Sequence, residues 1–483
     1  MSDYKLTIGL EVHAELKTES KMFCGCANLP ASDTALPNAN ICPICMGHPG
    51  TLPVINKEAV RKILLIGTAI GANIADFTEF DRKNYFYPDI PKGYQITQYK
   101  YPLVSGGAID GVALTRIHLE EDTARSAHES SPKLHLGEEY SLVDFNRAGV
   151  PLMELVTEPV MHTAEEAVHF AKELQLLLQY LGVSDANMEK GEMRVEANVS
   201  VSKTDTFGTK VEVKNINSFR AVGKAIEFEF KRQTSLLDKE EKVVQETRGW
   251  DENKEITFSQ RLKESAHDYR YFPDPDLPKL AVSELKEFSP QELKKSIVEL
   301  PWEKRVRYLK NFGIKSEDVE VYVTQKGVGE FFEEVVSKLT ALGSPASKLA
   351  SNYIASDLIG LSKAVGADFT LGKVTSDSFA KLMEMLSKGE LSSRGAKDIL
   401  KVMFENGGEP DNISKEKGLS QKSNPEELRA MLQKIIENNP NVVLEYRKGK
   451  ESVLQFFVGQ VMKETKGSAN PEVLKQLLLE LLK

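Results

Sequence analysis

The chain has 483 residues, 41% hydrophobic and 28% charged, with 62 Lys+Arg against 71 Asp+Glu and a formal charge of −9. That length predicts roughly two to four domains, and the composition excludes a disordered or collagen-like chain and a uniformly basic nucleic-acid binder. No apolar run approaches the ~20 residues of a membrane span, and the opening MSDYKLTIGL lacks the basic and apolar segments of a signal peptide. A cytoplasmic or organelle-matrix protein is therefore expected.

In 5–16 (KLTIGLEVHAEL) the even positions from Leu6 to Leu16 are apolar and the odd positions are not. Strict period-two alternation predicts a strand with one buried face. MRVEANVSVS (193–202) repeats the pattern, and KVEVKN (210–215) follows after a turn-prone segment, so these two predict an antiparallel pair. Helical spacing appears in 57–72, 163–182 and 218–237. Strands with segregated helices indicate an α+β class with a mostly antiparallel sheet over residues 1–293. From Ser289, followed by Pro290 at a first helical position, helical periodicity dominates to the end. It divides into an all-helical domain at 294–407 and a helical tail at 408–483. Two tail segments, NPEELRAMLQKIIENNP and NPEVLKQLLLELLK, suit the amphipathic helices of a small bundle.

The chemistry is front-loaded. All eight histidines fall between His13 and His267, and all four cysteines between Cys24 and Cys45. Cys24-x-Cys26 and Cys42-Pro-Ile-Cys45 are two close pairs separated by a loop, the spacing of a four-cysteine structural zinc site. Disulfide pairing is the competing reading, disfavoured by a reducing compartment. Phosphate-binding glycine fingerprints are missing. A polar sheet face carrying metal-binding carboxylates is the alternative cradle. Glu11 and His13 share one face of the first strand, the run His118-Leu-Glu-Glu-Asp122 sits at a strand end, and Glu154 lies in another strand. Such a set suits Mg2+, although solvated surface explains the same spacing. Arg194, Glu196, Asn198, Glu212 and Lys214 line one face of the second hairpin, where cross-strand ion pairing would account for them without a ligand. The segments 83–89 (KNYFYPD) and 268–274 (DYRYFPD) pack aromatics around charges, either as ordered functional loops or as aromatic staples.

GLEVHAEL (9–16), FDRKNYFYPDIPKGYQITQ (80–98), RIHLEEDTAR (116–125), SLVDFNRAGVPLMELVTEP (141–159), MRVEANVS (193–200), KVEVKNINSF (210–219) and DYRYFPDPDLP (268–278) together resemble the GatB family. These are the B subunits of tRNA-dependent Asp/Glu amidotransferases, and the resemblance covers essentially the whole chain. The tail from about residue 330 resembles the YqeY-like helical region of that family.

The resemblance implies an ATP-dependent carbon–nitrogen ligase with glutamine as amido donor. The side-chain carboxylate of Glu-tRNA(Gln) or Asp-tRNA(Asn) would be phosphorylated and then amidated. Ammonia would be channelled from a separate amidase subunit, GatA, in a heterotrimer completed by the small subunit GatC. By motif, the family's metal shell falls on Glu11, His13, Glu121 and Glu154, with Glu120 as the alternative to Glu121. The ion would be Mg2+, or Mn2+ given the imidazole. Lys83 and Lys92 fall in the segment lining the ammonia path, where Asp81 or Asp89 are alternative partners. Arg194, Asn198 and Lys214 are candidates for ATP contacts. Glu196 departs from the family pattern, which often has Asp there. The four cysteines imply a bound zinc, and the helical tail would grip tRNA by shape. A zinc-bearing RNA-binding scaffold with inert polar strands is the rival reading.

Overall fold

The strand predicted at 5–16 becomes the centre of the molecule's main sheet. The computed structural model describes residues 4–29, 36–129, 140–262, 268–419, 425–447, 449–465, 469 and 471–482. Asn424 and Asn470, which open the two Asn-Pro-Glu segments, lie outside the described residues. The chain divides into two units, Met1–Pro301 and Trp302–Lys483.

The elements that build the first unit are β1 (Lys5–Glu15), α1 (Lys57–Ala69), β2 (Asp81–Asn84), β3 (Tyr94–Thr97), β4 (Val112–Glu121) and β5 (Pro151–Thr157). They continue with α2 (Ala164–Tyr180), β6 (Met193–Ser202), β7 (Val211–Ile216), α3 (Phe219–Asp238), β8 (Glu246–Asp251) and β9 (Ile256–Leu262). The main sheet runs β9-β8-β7-β6-β1-β5-β4, extended by short strands at Val104–Ser105 and Asn73–Ile74. Its seven long strands pair antiparallel except β7 with β8, which run parallel and are joined through α3. A parallel pair needs such a crossover.

Alternation sorts the two faces of β1. Ile8, Leu10, Val12 and Ala14 are fully buried, as are Ala197 and Val199 on β6. Each such aliphatic side chain contributes about 1.5–3 kcal/mol by leaving water, with Ala less. Helix α3 packs on β6 and against α2, and Gln233 Nε2 donates to the Val199 carbonyl (3.3 Å). The opposite parity of β1 carries Glu11, His13 and Glu15. Helix starts follow the sequence signals. Thr163 forms a capping box with Glu166, Ser218 caps α3, and Ser289 accepts from the Glu292 amide ahead of Pro290.

A small sheet of β2, β3 and Phe272–Pro273 stands at the end of β4. The second unit is helical among its described residues. Tyr322 and Phe332 stack in its core at 4.5 Å, flanked by Tyr308. Leu428, Leu432, Phe457, Val461, Leu474 and Leu478 form a hydrophobic cluster within the tail. No helix among the described residues is long and apolar enough to cross a membrane.

Candidate functional site: a carboxylate–imidazole cluster beside a four-cysteine knuckle

Register brings distant sequence segments abreast. His13 on β1 stands opposite Glu154 on β5 and Arg194 on β6, and Glu154 stands opposite His118 on β4. Side chains on one rung of a sheet share a face, so these four form a row. The adjacent rung sets Glu11 opposite Glu196. His13 Nε2 lies 3.4 Å from Glu154, 4.0 Å from Glu120 and 4.0 Å from Glu11. His118 Nε2 lies 3.5 Å from Glu120 and 3.6 Å from Glu154. Two overlapping groups, His13/Glu120/Glu154 and Glu11/His13/Glu196, each offer ligand atoms within 4.8 Å of one another.

Glu121 does not join this cluster; Glu120 does. Pairing sets Glu120 opposite Leu152, two positions from Glu154, whereas Glu121 is opposite Pro151 and points to the other face. One residue of offset reverses a side chain on a strand. Glu121 instead accepts hydrogen bonds from the Ile96 amide (2.9 Å) and from Lys92 Nζ. Glu120 is fixed by Thr97 Oγ1 (2.7 Å) and Gln95 Nε2 (3.0 Å).

Electrostatics reflects the crowding of buried carboxylates. Burial, with Glu154 and Glu196 nearby, pushes the Glu11 carboxyl up to about 7. Burial disfavours charge on His13, but its hydrogen bond to Glu154 and the surrounding carboxylates outweigh that and raise it to about 9. Burial also works against ionised Glu154, yet His118, His13 and Lys83 hold it well below the usual carboxylate range. Glu120 is lowered too, its burial and Glu154 being outweighed by Lys83 and His118. Lys83 is half-buried, and its partial desolvation favours the neutral amine, but Glu120, Tyr271, Tyr85 and Glu154 together raise it well above its ordinary value. The cluster thus concentrates negative charge around a few cations. Several carboxylate oxygens and one imidazole are donors that fit a hard or borderline divalent ion.

The remaining predicted residues have specific partners. Neither Asp81 nor Asp89 takes up the two lysines: Asp81 accepts from the amides of Tyr99 (3.0 Å) and Lys100 (3.2 Å), and Asp89 accepts from Thr123 Oγ1 (3.3 Å). Lys92 pairs with Glu121, and Lys83 lies over the Tyr269 ring at 5.1 Å. Arg194 donates to both oxygens of buried Asp122 (3.0 Å each), which also binds Arg147. Lys214 Nζ is 2.8 Å from Glu196. Cross-strand ion pairing therefore accounts for Lys214, as spacing allowed. Asn198 differs, because its buried Oδ1 has no hydrogen-bond partner among the described residues. Gln95, Thr97 and Arg147 belong to the site's framework and no sequence pattern marks them, while His118 and Asp122 stand out in sequence as the two ends of the acidic run. For His118 a signal existed: it shares strand parity with Glu120.

The four cysteines converge. Their Sγ atoms lie within 4.8 Å of one another and none is in a disulfide. Cys42 and Cys45 are 3.8 Å apart, with the Cys42 amide 3.0 Å from Cys45 Sγ. A tetrahedron with Zn–S bonds of ≈ 2.3 Å has edges of about 3.8 Å, so the donor set fits zinc. Gly47 closes the knuckle in a left-handed conformation (φ +68°), and a Cβ there would meet Lys92 Cγ at 2.3 Å. A cavity of about 200 Å³ lies between the knuckle and the Lys92–Glu121 pair, with Arg82 and Tyr94 also on its wall.

Residues 6–286 match the family model described as the GatB/GatE catalytic domain, and residues 330–482 match the one described as the GatB domain. The first match covers the sheet and both clusters described above. The chain is 45% identical to the aspartyl/glutamyl-tRNA(Asn/Gln) amidotransferase B subunit of Thermoanaerobacter sp. (strain X514), over 99% of each chain. It is 42% identical to the protein of that name from Carboxydothermus hydrogenoformans, covering 100% of this chain and 99% of the relative. The Crocosphaera subtropica protein is also 42% identical, over 100% and 98%. The chain belongs to the GatB family of amidotransferase B subunits.

Proposed function

We propose that this chain phosphorylates and then amidates the side-chain carboxylate of Glu-tRNA(Gln), Asp-tRNA(Asn) or both, as the GatB component of a cytoplasmic complex with the amidase GatA and the small subunit GatC. The buried cluster of His13, Glu120 and Glu154, with Glu11 beside it, is the observation that carries this reading. These residues would hold Mg2+ or Mn2+, which supplies charge neutralisation to phosphoryl oxygens. The chain's own groups do the rest. The substrate carboxylate oxygen attacks the γ-phosphorus of ATP and ADP leaves. Ammonia then attacks the acyl carbon, phosphate departs, and the amide nitrogen sheds its extra proton.

Lys83, held charged beside Glu120 and Glu154, offsets the negative charge that builds as phosphate leaves. Lys92 and Glu121, paired beyond the cluster, suit the approach of ammonia, where the carboxylate can take a proton from ammonium. Thr97 and Gln95 position Glu120. Asn198 Oδ1 offers an acceptor to a ribose hydroxyl, while Arg194 and Lys214 stand ready for phosphate if they exchange Asp122 and Glu196 for it. The knuckle of Cys24, Cys26, Cys42 and Cys45 would hold a structural zinc. We further treat 1–293 as the catalytic cradle, 294–407 as a helical domain and 408–483 as the tRNA-gripping tail. Residues 411–483 carry 12 Lys+Arg and 10 Asp+Glu, a near balance that suits recognition of RNA shape over indiscriminate phosphate binding.

The test is ADP formation by the reconstituted complex with and without misacylated tRNA. Glu154→Gln is expected to lower the tRNA-dependent part by roughly 10²-fold or more while GatA retains its basal glutaminase activity. A parent complex that binds tRNA yet forms no ADP would support the scaffold reading instead.

A further inference from the structure

The aromatic segments at 83–89 and 268–274 meet in space, and the chemistry above uses only Lys83 from them. The Asn84 amide donates to the Tyr269 carbonyl (2.9 Å), and Arg82 pairs with Phe272 across a strand. Tyr85 and Tyr269 sit edge to face at 5.9 Å, as do Tyr269 and Tyr271 at 6.0 Å. Tyr271 then lies flat against Tyr99, with centroids 4.1 Å apart and planes at 7°.

This ladder has two different ends. At the inner end, Lys83 Nζ is 5.1 Å from the Tyr269 ring and close enough to Glu120 and Glu154 to feel both charges. At the outer end, Tyr99 is 45% exposed. Its backbone is nonetheless pinned, because buried Asp81 accepts from the Tyr99 and Lys100 amides. A ring that only stapled two loops together would gain most by being covered. Here a parallel stack is built, its backbone is fixed by a buried carboxylate, and nearly half of the outer tyrosine faces solvent.

We propose that the outer face of Tyr99, backed by Tyr271, is a stacking platform for the adenine of a substrate whose reactive end reaches the Glu120–Glu154 cluster. The inference rests on the function proposed above. Adenine reaches this reaction in two forms, as the base of ATP and as the 3′-terminal base of the charged tRNA. In each, a ribose and a short chain separate the base from the group that reacts, and the ladder likewise sets Tyr99 apart from Lys83 by three successive steps of 5.1, 6.0 and 4.1 Å through Tyr269 and Tyr271. Aromatic rings hold bases by their faces, largely without hydrogen bonds.

The experiment compares Tyr99→Ala with Tyr99→Phe in the reconstituted complex, measuring KM for ATP and for misacylated tRNA separately. Removing the ring is expected to raise one of the two by about 5- to 100-fold, the range found for lost base stacking, and Phe is expected to restore it. A rise confined to ATP assigns the platform to the nucleotide, and a rise confined to tRNA assigns it to the terminal base. Fluorescence quenching of Tyr99→Trp by the same ligand provides a readout independent of turnover. Unchanged KM values in Tyr99→Ala, an equal defect in Tyr99→Phe, or a loss of kcat alone would overturn the proposal. A parent complex without tRNA-dependent ADP formation would instead defeat the underlying function, so the two failures are distinguishable.

Discussion

Replacing Glu120 and Glu121 separately by Gln tests whether strand parity selects the working carboxylate. Glu120 lies 4.0 Å from His13, and two unit charges at that separation interact by about 4 kcal/mol at an effective dielectric of ~20. A divalent ion among the same ligands would be felt at least as strongly. The Gln side chain keeps a carbonyl oxygen for one of the donors at Thr97 and Gln95, so a net loss of about 3 kcal/mol, or ~150-fold in rate, is the reasonable size. Glu121→Gln breaks the pair with Lys92 but leaves the cluster's charge intact. ADP formation in that variant is expected to stay near the parent rate, while glutamine-dependent amidation falls. The assay follows radiolabelled ADP and Gln-tRNA in parallel, with free ammonium as an alternative nitrogen donor. Equal loss of ADP formation in both variants, or its survival in Glu120→Gln, would refute the argument from register.

Metal analysis is expected to find one zinc per chain, and Cys45→Ser is expected to lose it and lower the thermal midpoint by several degrees or more; a zinc-free parent of normal stability would contradict this. Asp122→Asn leaves Arg147 and Arg194 facing a neutral group in a buried site and is expected to cost about 3–5 kcal/mol in denaturant unfolding, the range for a broken buried pair. In the second unit, burial pushes the Glu333 carboxyl up, but Tyr308, Arg307 and Lys304 outweigh it and hold the group below its ordinary value. A depressed folded value means the stabilisation is present above the unfolded pKa and is lost as pH falls through the folded one. Urea midpoints measured from about pH 5 down to about pH 3 should therefore decline, and less steeply in Glu333→Gln.

Much of this arrangement was legible in the chain. Alternation in 5–16 fixed both the strand and the face shared by Glu11 and His13, because period two is a property of the backbone alone. The cysteine spacing anticipated the knuckle for a similar reason, since both pairs are local. What spacing lacks is register. Nothing within HLEED distinguishes Glu120 from Glu121 until β4 is aligned on β5, and the bond between Glu121 and Lys92 depends on how β2 and β3 dock at the end of β4. Asp122 with Arg147 and Arg194 was hidden for the same reason: three segments meet there, and each alone reads as ordinary polar surface. The spacing leaves the two tyrosine-rich segments, nearly two hundred residues apart, open between loop and staple because only tertiary contact decides it.

Strand β1 occupies the middle of the finished sheet, yet both of its neighbours, Pro151–Thr157 and Met193–Ser202, are synthesised long after it. A nascent chain therefore carries an amphipathic ribbon with both hydrogen-bonding edges open until residue 157 has left the ribosome, and with one of them open until residue 202 has followed. Folding around so delayed a closure is inherently slow and exposes sticky backbone to other chains. The cysteine loop, whose members span only Cys24 to Cys45, has no such wait and can clasp an ion early, giving the ribbon an anchored end while the remaining strands arrive.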